Sequence, residues 1–281
     1  MTTVGIATGA GRGMGLECAR RLTGAVDRLL LVDRDEAAVV EAARDLTAAG
    51  AVTVVEPFVV DITDRAGVAR LATRVRELGT LRAVAHAAGI SPSMADWRRI
   101  LTVDLVGTAL LAEALRPLAT AGTATVNFAS MAAYLGGVTP DPEAAAILAD
   151  PLDAKFLDRL RDAVGPSLED PGIAYSWAKH GVHVFVQQEA VRIGPLGARV
   201  CSVSPGIIDT PQGRQEEASH GWVIGRGQTV SGAGASFLVV SNPTMPASVP
   251  PRMAARSSSG TPAKFSAMHS SLLRKVPSAW G

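Results

Sequence analysis

Cysteine is nearly missing from this chain. Only Cys18 and Cys201 occur in 281 residues, which excludes a disulfide framework and points to a reducing compartment. Long apolar runs are missing as well. The first, residues 4–7, passes straight into glycines and is too short for a signal peptide; no later run reaches membrane-spanning length. Excess charge is also lacking: 27 basic residues against 26 acidic ones leave a net charge of +1, which argues against a nucleic-acid or membrane-surface partner. A cytoplasmic protein without a metal site is the expectation. A further absence is local. No Asp or Glu follows Glu217, while Arg226, Arg252, Arg256, Lys264, Arg274 and Lys275 do; up to Glu217, 21 basic residues meet 26 acidic ones, a balance of −5. What is plentiful is apolar residues, at 47%, enough for a substantial core in one large α/β domain or two small ones.

Short β-rich runs alternate with helical stretches. Strands are expected over residues 4–8, 28–32, 52–60, 81–86, 123–128 and 198–203, and helices over 14–22, 36–49, 65–78, 97–118 and 175–193. Val68, Leu71, Ala72 and Val75 form one apolar stripe on the third helix. This alternation predicts a parallel sheet covered on both faces, with ligands at the carboxyl ends of its strands. An acidic excursion between Phe128 and Tyr175 breaks the rhythm. Asp141 is placed to cap a short helix with Pro142 in its first position, and Asp153 a second one with Phe156, Leu157, Leu160 and Val164 as its apolar face and Gly165 as its stop.

The chemistry gathers at the strand ends. Thr8-Gly9-Ala10-Gly11-Arg12-Gly13-Met14-Gly15 matches G-x-G-x-x-G in no register. It nevertheless turns the first strand into the first helix, where missing side chains let a pyrophosphate approach the helix N-terminus. Asp33 ends the second strand; an acid there binds ribose hydroxyls and repels a 2′-phosphate, selecting NAD over NADP, whereas Arg12 and Arg34 are able to pair with that phosphate. Tyr175 and Lys179 are four residues apart and share a helix face. A phenol titrates near pH ~10, and a cation ~4 Å away is worth roughly 1 to 4 kcal/mol, enough to lower the phenol's pKa by ~1 to 3. A Tyr/Lys pair at that spacing is also common in ordinary amphipathic helices.

Taken together, residues 3 to about 215 resemble a short-chain dehydrogenase/reductase. Thr8-Gly9, Gly13 and Gly15, with Arg12 and Met14 between them, match that family's T-G-x-x-x-G-x-G loop. Asp61-Ile62 resembles its adenine-contacting Asp after the third strand. Ala88-Gly89 ends its N-N-A-G motif, although His86 and Ala87 replace both asparagines. Ser130 stands where its substrate-binding serine lies, Tyr175 and Lys179 match Y-x-x-x-K, and Pro205-Gly206, Ile208 and Thr210 resemble the P-G-x-x-x-T segment over the nicotinamide. The resemblance implies a single Rossmann-type doubly wound parallel sheet. It implies that Tyr175 exchanges a proton with the substrate, Lys179 lowers its pKa and binds the nicotinamide ribose, and Ser130 bonds the substrate oxygen, for an alcohol or ketone and most simply NAD. It also implies a homo-oligomer, dimer or tetramer, packed through the long helices after Trp97 and Tyr175.

Two departures stand out. Asp104 occupies the position of the family's relay Asn; an Asp can still hold a water, but ionised beside Lys179 it partly offsets the cation. The insertion over about 136–172 resembles the bacterial 3α-hydroxysteroid dehydrogenase/carbonyl reductase subgroup, which implies a steroid, terpenoid or other bulky alcohol. The stretch from 218 to 281 resembles nothing in the family: it reads as a divergent basic Ser/Pro-rich tail, disordered or produced by a changed reading frame. An impaired nucleotide-binding relative of the same fold is the alternative function, and a pure interaction module built on the acidic insertion is a third.

Overall fold

The computed structural model describes residues 1–206, 208, 210, 213 and 214, and the backbone of Phe237–Val240. The strands are β1 (Thr3–Thr8), β2 (Arg28–Asp33), β3 (Val54–Val59), β4 (Thr80–His86), β5 (Ala124–Phe128), β6 (Arg199–Pro205) and β7 (Phe237–Val240), in the order β3-β2-β1-β4-β5-β6-β7. The first six are parallel. Strand β7 runs antiparallel to β6 at the edge, with Val239 opposite Val203. Leu29 to Val32 of β2 are wholly buried, as a strand covered on both faces must be. Strand β3 is an edge, half-exposed, and Pro57 sits in it opposite Leu31, a place where a missing N–H is tolerated.

Helices α1 (Gly13–Leu22) and α2 (Glu36–Ala48) cover one face through Leu29, Leu31, Val39 and Leu46. Helix α3 (Arg65–Leu78) covers the other with the expected stripe of Val68, Leu71, Ala72 and Val75. Asp35 and Asp64 cap α2 and α3 by accepting the Ala38 and Ala66 N–H groups. Strand order reverses between β1 and β4, so a crevice opens at their carboxyl ends, where ligands of such sheets lie.

The helix expected over 97–118 is not continuous. It runs as α4 (Trp97–Leu101), a π turn (Thr102–Val106), α5 (Gly107–Leu115) and a final 3₁₀ turn, with Asp104 inside the π turn. The long helix expected from 175 begins earlier, as α9 (Pro171–Ile193), because Asp170 caps it and Pro171 opens it.

Helix α6 (Ala132–Leu135) leads into the insertion, which contains α7 (Pro142–Ala149) and α8 (Phe156–Val164). Asp141 caps α7 as expected. Asp153 does not cap α8: Lys155 holds that position, and the Asp153 carboxylate accepts the Lys155 N–H in the turn before it. Gly165 ends α8 at φ 87°, a left-handed conformation that suits glycine. Leu148, Phe156, Leu160 and Leu168 of the insertion join Leu101, Leu105, Trp177 and Val182 in one core. That packing lays the insertion against α4 and α9, while Gln187, Gln188 and Val191 of α9 stay exposed.

Candidate active site

The crevice carries two adjoining clefts, which share Met14 and Thr210 as walls. The first, of about 270 Å³, is lined by the glycine loop, Asp33, Arg34, Asp61, Ile62, Ala88 and Gly89. The loop is built for close approach. A Cβ on Gly15 would fall 2.1 Å from the Gly9 carbonyl oxygen, and one on Gly9 would meet the Ala88 backbone at 3.0 Å. Gly9 and Gly13 have φ of 64° and 57°. Helix α1 starts after Arg12 with no side-chain cap and no acid in its first turn, which leaves its N–H groups for an anion. This cradle, closing on a cleft with a carboxylate beyond it, fits a dinucleotide.

Asp33 is fixed by two backbone donors: Gly11 N–H reaches Oδ2 at 2.9 Å and Asp35 N–H reaches Oδ1 at 3.1 Å. Arg12 is not free; its guanidinium pairs with Asp35 on the surface. Asp61 accepts Thr63 N–H and hydroxyl at 2.9 and 2.7 Å, and Arg99 pairs with its other oxygen at 2.8 Å. Burial pushes the Asp61 carboxyl up, but Thr63 and Arg99 outweigh it and hold it below the usual range. Arg99 lines this cleft and went unnoticed in the sequence, where only its position five residues before Asp104 marks it.

The second cleft, of about 390 Å³, brings together Ser130, Tyr175, Pro205, Gly206, Ile208 and Thr210. Ser130 stands just past β5, and its Oγ accepts the Ala132 N–H at 3.2 Å. Thr210 Oγ1 accepts the Gly213 N–H at 3.0 Å, and its methyl lies 3.7 Å from where a Gly13 side chain would begin.

Lys179 sits behind this wall, 6% exposed. Its Nζ is 5.4 Å from the Tyr175 ring centroid, donates to the Phe128 carbonyl at 3.3 Å, and lies 3.3 Å from Asp104 Oδ2. Burial pulls the ammonium down, but Asp104 and then Tyr175 outweigh it and keep its pKa above the ordinary lysine value. Burial likewise pushes Asp104 up, against Lys179 and the Ile90 N–H, which reaches Oδ1 at 2.8 Å. Gly89 leaves room for the pair: a Cβ there would stand 3.0 Å from Asp104 Oδ1 and 3.2 Å from Lys179 Nζ.

His86 ties this centre to the loop. Thr108 gives its hydroxyl hydrogen to the Asp104 carbonyl at 2.7 Å, so it accepts from His86 Nε2 at 3.0 Å. His86 Nδ1 therefore accepts from Thr8 Oγ1 at 2.7 Å, and Thr8 also accepts the Ala88 N–H. Burial, with Lys179 nearby, drops the His86 pKa to about 3. A second buried imidazole, His183, bonds Ser202 and Ser204 on β6 at 2.8 and 2.9 Å, and burial lowers it to about 4. Among the described residues no group of three or more His, Cys, Asp or Glu is placed to hold a metal, and no helix is long and apolar enough to cross a membrane.

The geometry has counterparts. A family model described as enoyl-(acyl carrier protein) reductase matches residues 9–146. The chain is 30% identical over 219 residues to a cis-4-hydroxycyclohexanecarboxylate dehydrogenase from Sinomonas cyclohexanicum, covering 74% of each chain. It is 31% identical over 220 residues to the short-chain dehydrogenase/reductase bsc3 of Alternaria brassicicola, covering 75% of this chain and 77% of that protein. In fold it resembles an actinorhodin polyketide ketoreductase crystallised with NADPH, at 22% identity and a TM-score of 0.58 over 80% of this chain and 78% of that one.

Proposed function

This chain belongs to the short-chain dehydrogenase/reductase family, and from that premise we propose that it transfers a hydride between NAD(H) and a bulky cyclic secondary alcohol or its ketone. The observation that carries the reading is the arrangement of Ser130 and Tyr175 on one cleft wall with a buried cation 5.4 Å behind the Tyr175 ring. The cleft of about 390 Å³ beside the glycine-loop cleft supports a ring-sized substrate.

The nicotinamide, when bound, supplies or accepts the hydride. The remaining work falls to the chain. Gly9, Arg12, Gly13, Met14 and Gly15 would cradle the pyrophosphate, Asp61, Ile62, Ala88 and Gly89 the adenosine half, and Pro205, Gly206, Ile208 and Thr210 the nicotinamide half. Tyr175 takes the hydroxyl proton of an alcohol, or returns one to a ketone. Ser130 donates a hydrogen bond to the same substrate oxygen and holds it toward the phenol. Lys179 stabilises the phenolate because its own proton is retained beside Asp104. Asp104 is a positioning residue: it acts through Lys179 and fixes the Ile90 backbone.

The choice of NAD rests on Asp33. A carboxylate anchored by Gly11 and Asp35 cannot swing away from a 2′-phosphate, and Arg12 is engaged by Asp35. Arg34 is the opposing feature on the same cleft.

The test is hydride transfer followed in the nicotinamide absorbance, with NAD and NADP, over cyclic alcohols and hydroxysteroids. Tyr175→Phe is expected to lose roughly 10²- to 10⁴-fold in kcat while still binding the cofactor. NAD binding with no turnover on any alcohol would support the impaired nucleotide-binding reading instead.

A further inference from the structure

The helical insertion leaves and rejoins the fold on the walls of the substrate cleft. Leu135 and Gly136 line it at the start, and Asp170, Gly172 and Ile173 line it at the return into α9. Among the described residues of this wall there is no Lys, Arg or His, and Asp170 is the one carboxylate. Asp170 is held in place, since Oδ1 accepts the Gly172 and Ile173 N–H groups at 2.9 and 3.0 Å, yet the residue stays solvent-exposed. The Ser176 hydroxyl beside it donates to the Gly172 carbonyl at 3.0 Å. The cleft thus has one fixed negative charge at its rim and no described cation in its wall to balance it. Five residues of helix separate Asp170 from Tyr175, about 7.5 Å along the axis.

We infer that the cleft takes a non-anionic ring alcohol or ketone whose far end carries a hydroxyl donated to Asp170, and that it rejects carboxylates at that end. This rests on the oxidoreductase reading above and adds the substrate class to it. A hydroxyl there makes a charge-assisted hydrogen bond. A carboxylate there meets a like charge, with no Lys, Arg or His among the described wall residues. The Sinomonas relative is named for a ring alcohol that carries such a carboxylate; the wall described here is unsuited to it.

Steady-state oxidation by the full chain, with NAD and with NADP, of cyclohexanol, 1,4-cyclohexanediol and 4-hydroxycyclohexanecarboxylate tests this. The expected kcat/KM for the diol exceeds that for the carboxylate by at least about tenfold. Asp170→Asn, which keeps the helix cap, is expected to bring the two within about threefold. Asp170→Ser is a second capping variant with the same expectation, and the melting temperature of each verifies folding. Equal use of diol and carboxylate by the native chain, or an unchanged ratio in both variants, overturns the inference. Cyclohexanol turnover would then leave the oxidoreductase reading standing. No turnover of any of the three overturns that reading and this inference with it.

Discussion

At the scale of single residues, the centre is a buried charge pair. The sequence placed Asp104 near Lys179 by resemblance; the structure puts their charged atoms 3.3 Å apart, in direct contact. Asp104→Asn removes the anion that holds the Lys179 proton, and it exposes Tyr175 to the cation without that offset. The acid limb of the kcat/KM profile is therefore expected to move to lower pH, with activity staying within about tenfold, or ~1.4 kcal/mol. An unchanged or raised limb would show that Asp104 does not act through Lys179. Asp33 carries a separate expectation. If NAD is the preferred cofactor as proposed, Asp33→Ser narrows its advantage over NADP by at least about tenfold, because a like charge is removed from the 2′-phosphate position; parallel titrations of both cofactors read this directly. Ser130, Tyr175, Lys179 and the glycine loop were legible because each is a residue type at a strand end or a helical spacing. His86 was legible only as an anomaly. Its role as a link between Thr8 and Thr108 depends on strand and helix being brought together over 22 to 78 residues of separation.

At the scale of elements, the six parallel strands and the helices before Tyr175 lie within a few residues of where periodicity put them, whereas β7 was not foreseen. The exceptions have causes. The π turn at Asp104 is invisible to apolar spacing because apolar residues continue on both sides of it, Leu101 and Leu105 packing in one core and Leu111 and Leu115 in another. The early start of α9 follows from the Asp170-Pro171 cap, a local signal overshadowed by Tyr175. The insertion's helices were foreseen, but not their docking. Gly181 shows how tight that docking is: a Cβ there would fall 2.4 Å from a Leu105 methyl and 3.1 Å from a Leu148 methyl. Gly181→Ala is thus expected to destabilise the protein by about 1–3 kcal/mol through overpacking, although alanine is worth ~1 kcal/mol more than glycine as a helix former. Urea unfolding at neutral pH measures it, and a stabilised variant would mean that Leu105 yields freely. Leu148→Ala, on the insertion side of the same contact, is expected to cost about 2–5 kcal/mol.

At the scale of the whole molecule, the two buried imidazoles set a pH dependence. His86 and His183 titrate at about 3 and about 4 in the fold and near 6.5 when unfolded. Below pH 6.5 the unfolded chain takes up protons that the folded one refuses, so stability falls with acidity until the folded values are reached. The slope is up to about 1.4 kcal/mol per pH unit for each group. Asp61, whose pKa is lowered, adds stability above the ordinary 3.8 and loses it only as pH falls through its still lower folded value. A melting temperature that does not drop between pH 7 and 5, or that drops equally when His183 is replaced by Gln, would contradict this. The stretch from 218 to 281, read from the sequence as an atypical tail, lies outside the described residues apart from the backbone of β7. The sequence by itself determined the parallel α/β fold and marked the candidate reacting groups, because both are written in short-range patterns: alternation, helical spacing and glycines at a turn. Only the tertiary structure decided that Asp104 touches Lys179, that the insertion packs on α4 and α9, and that Asp170 lines the cleft with no Lys, Arg or His among its described wall residues. Each of these depends on contacts between segments distant in the chain, which no local pattern encodes.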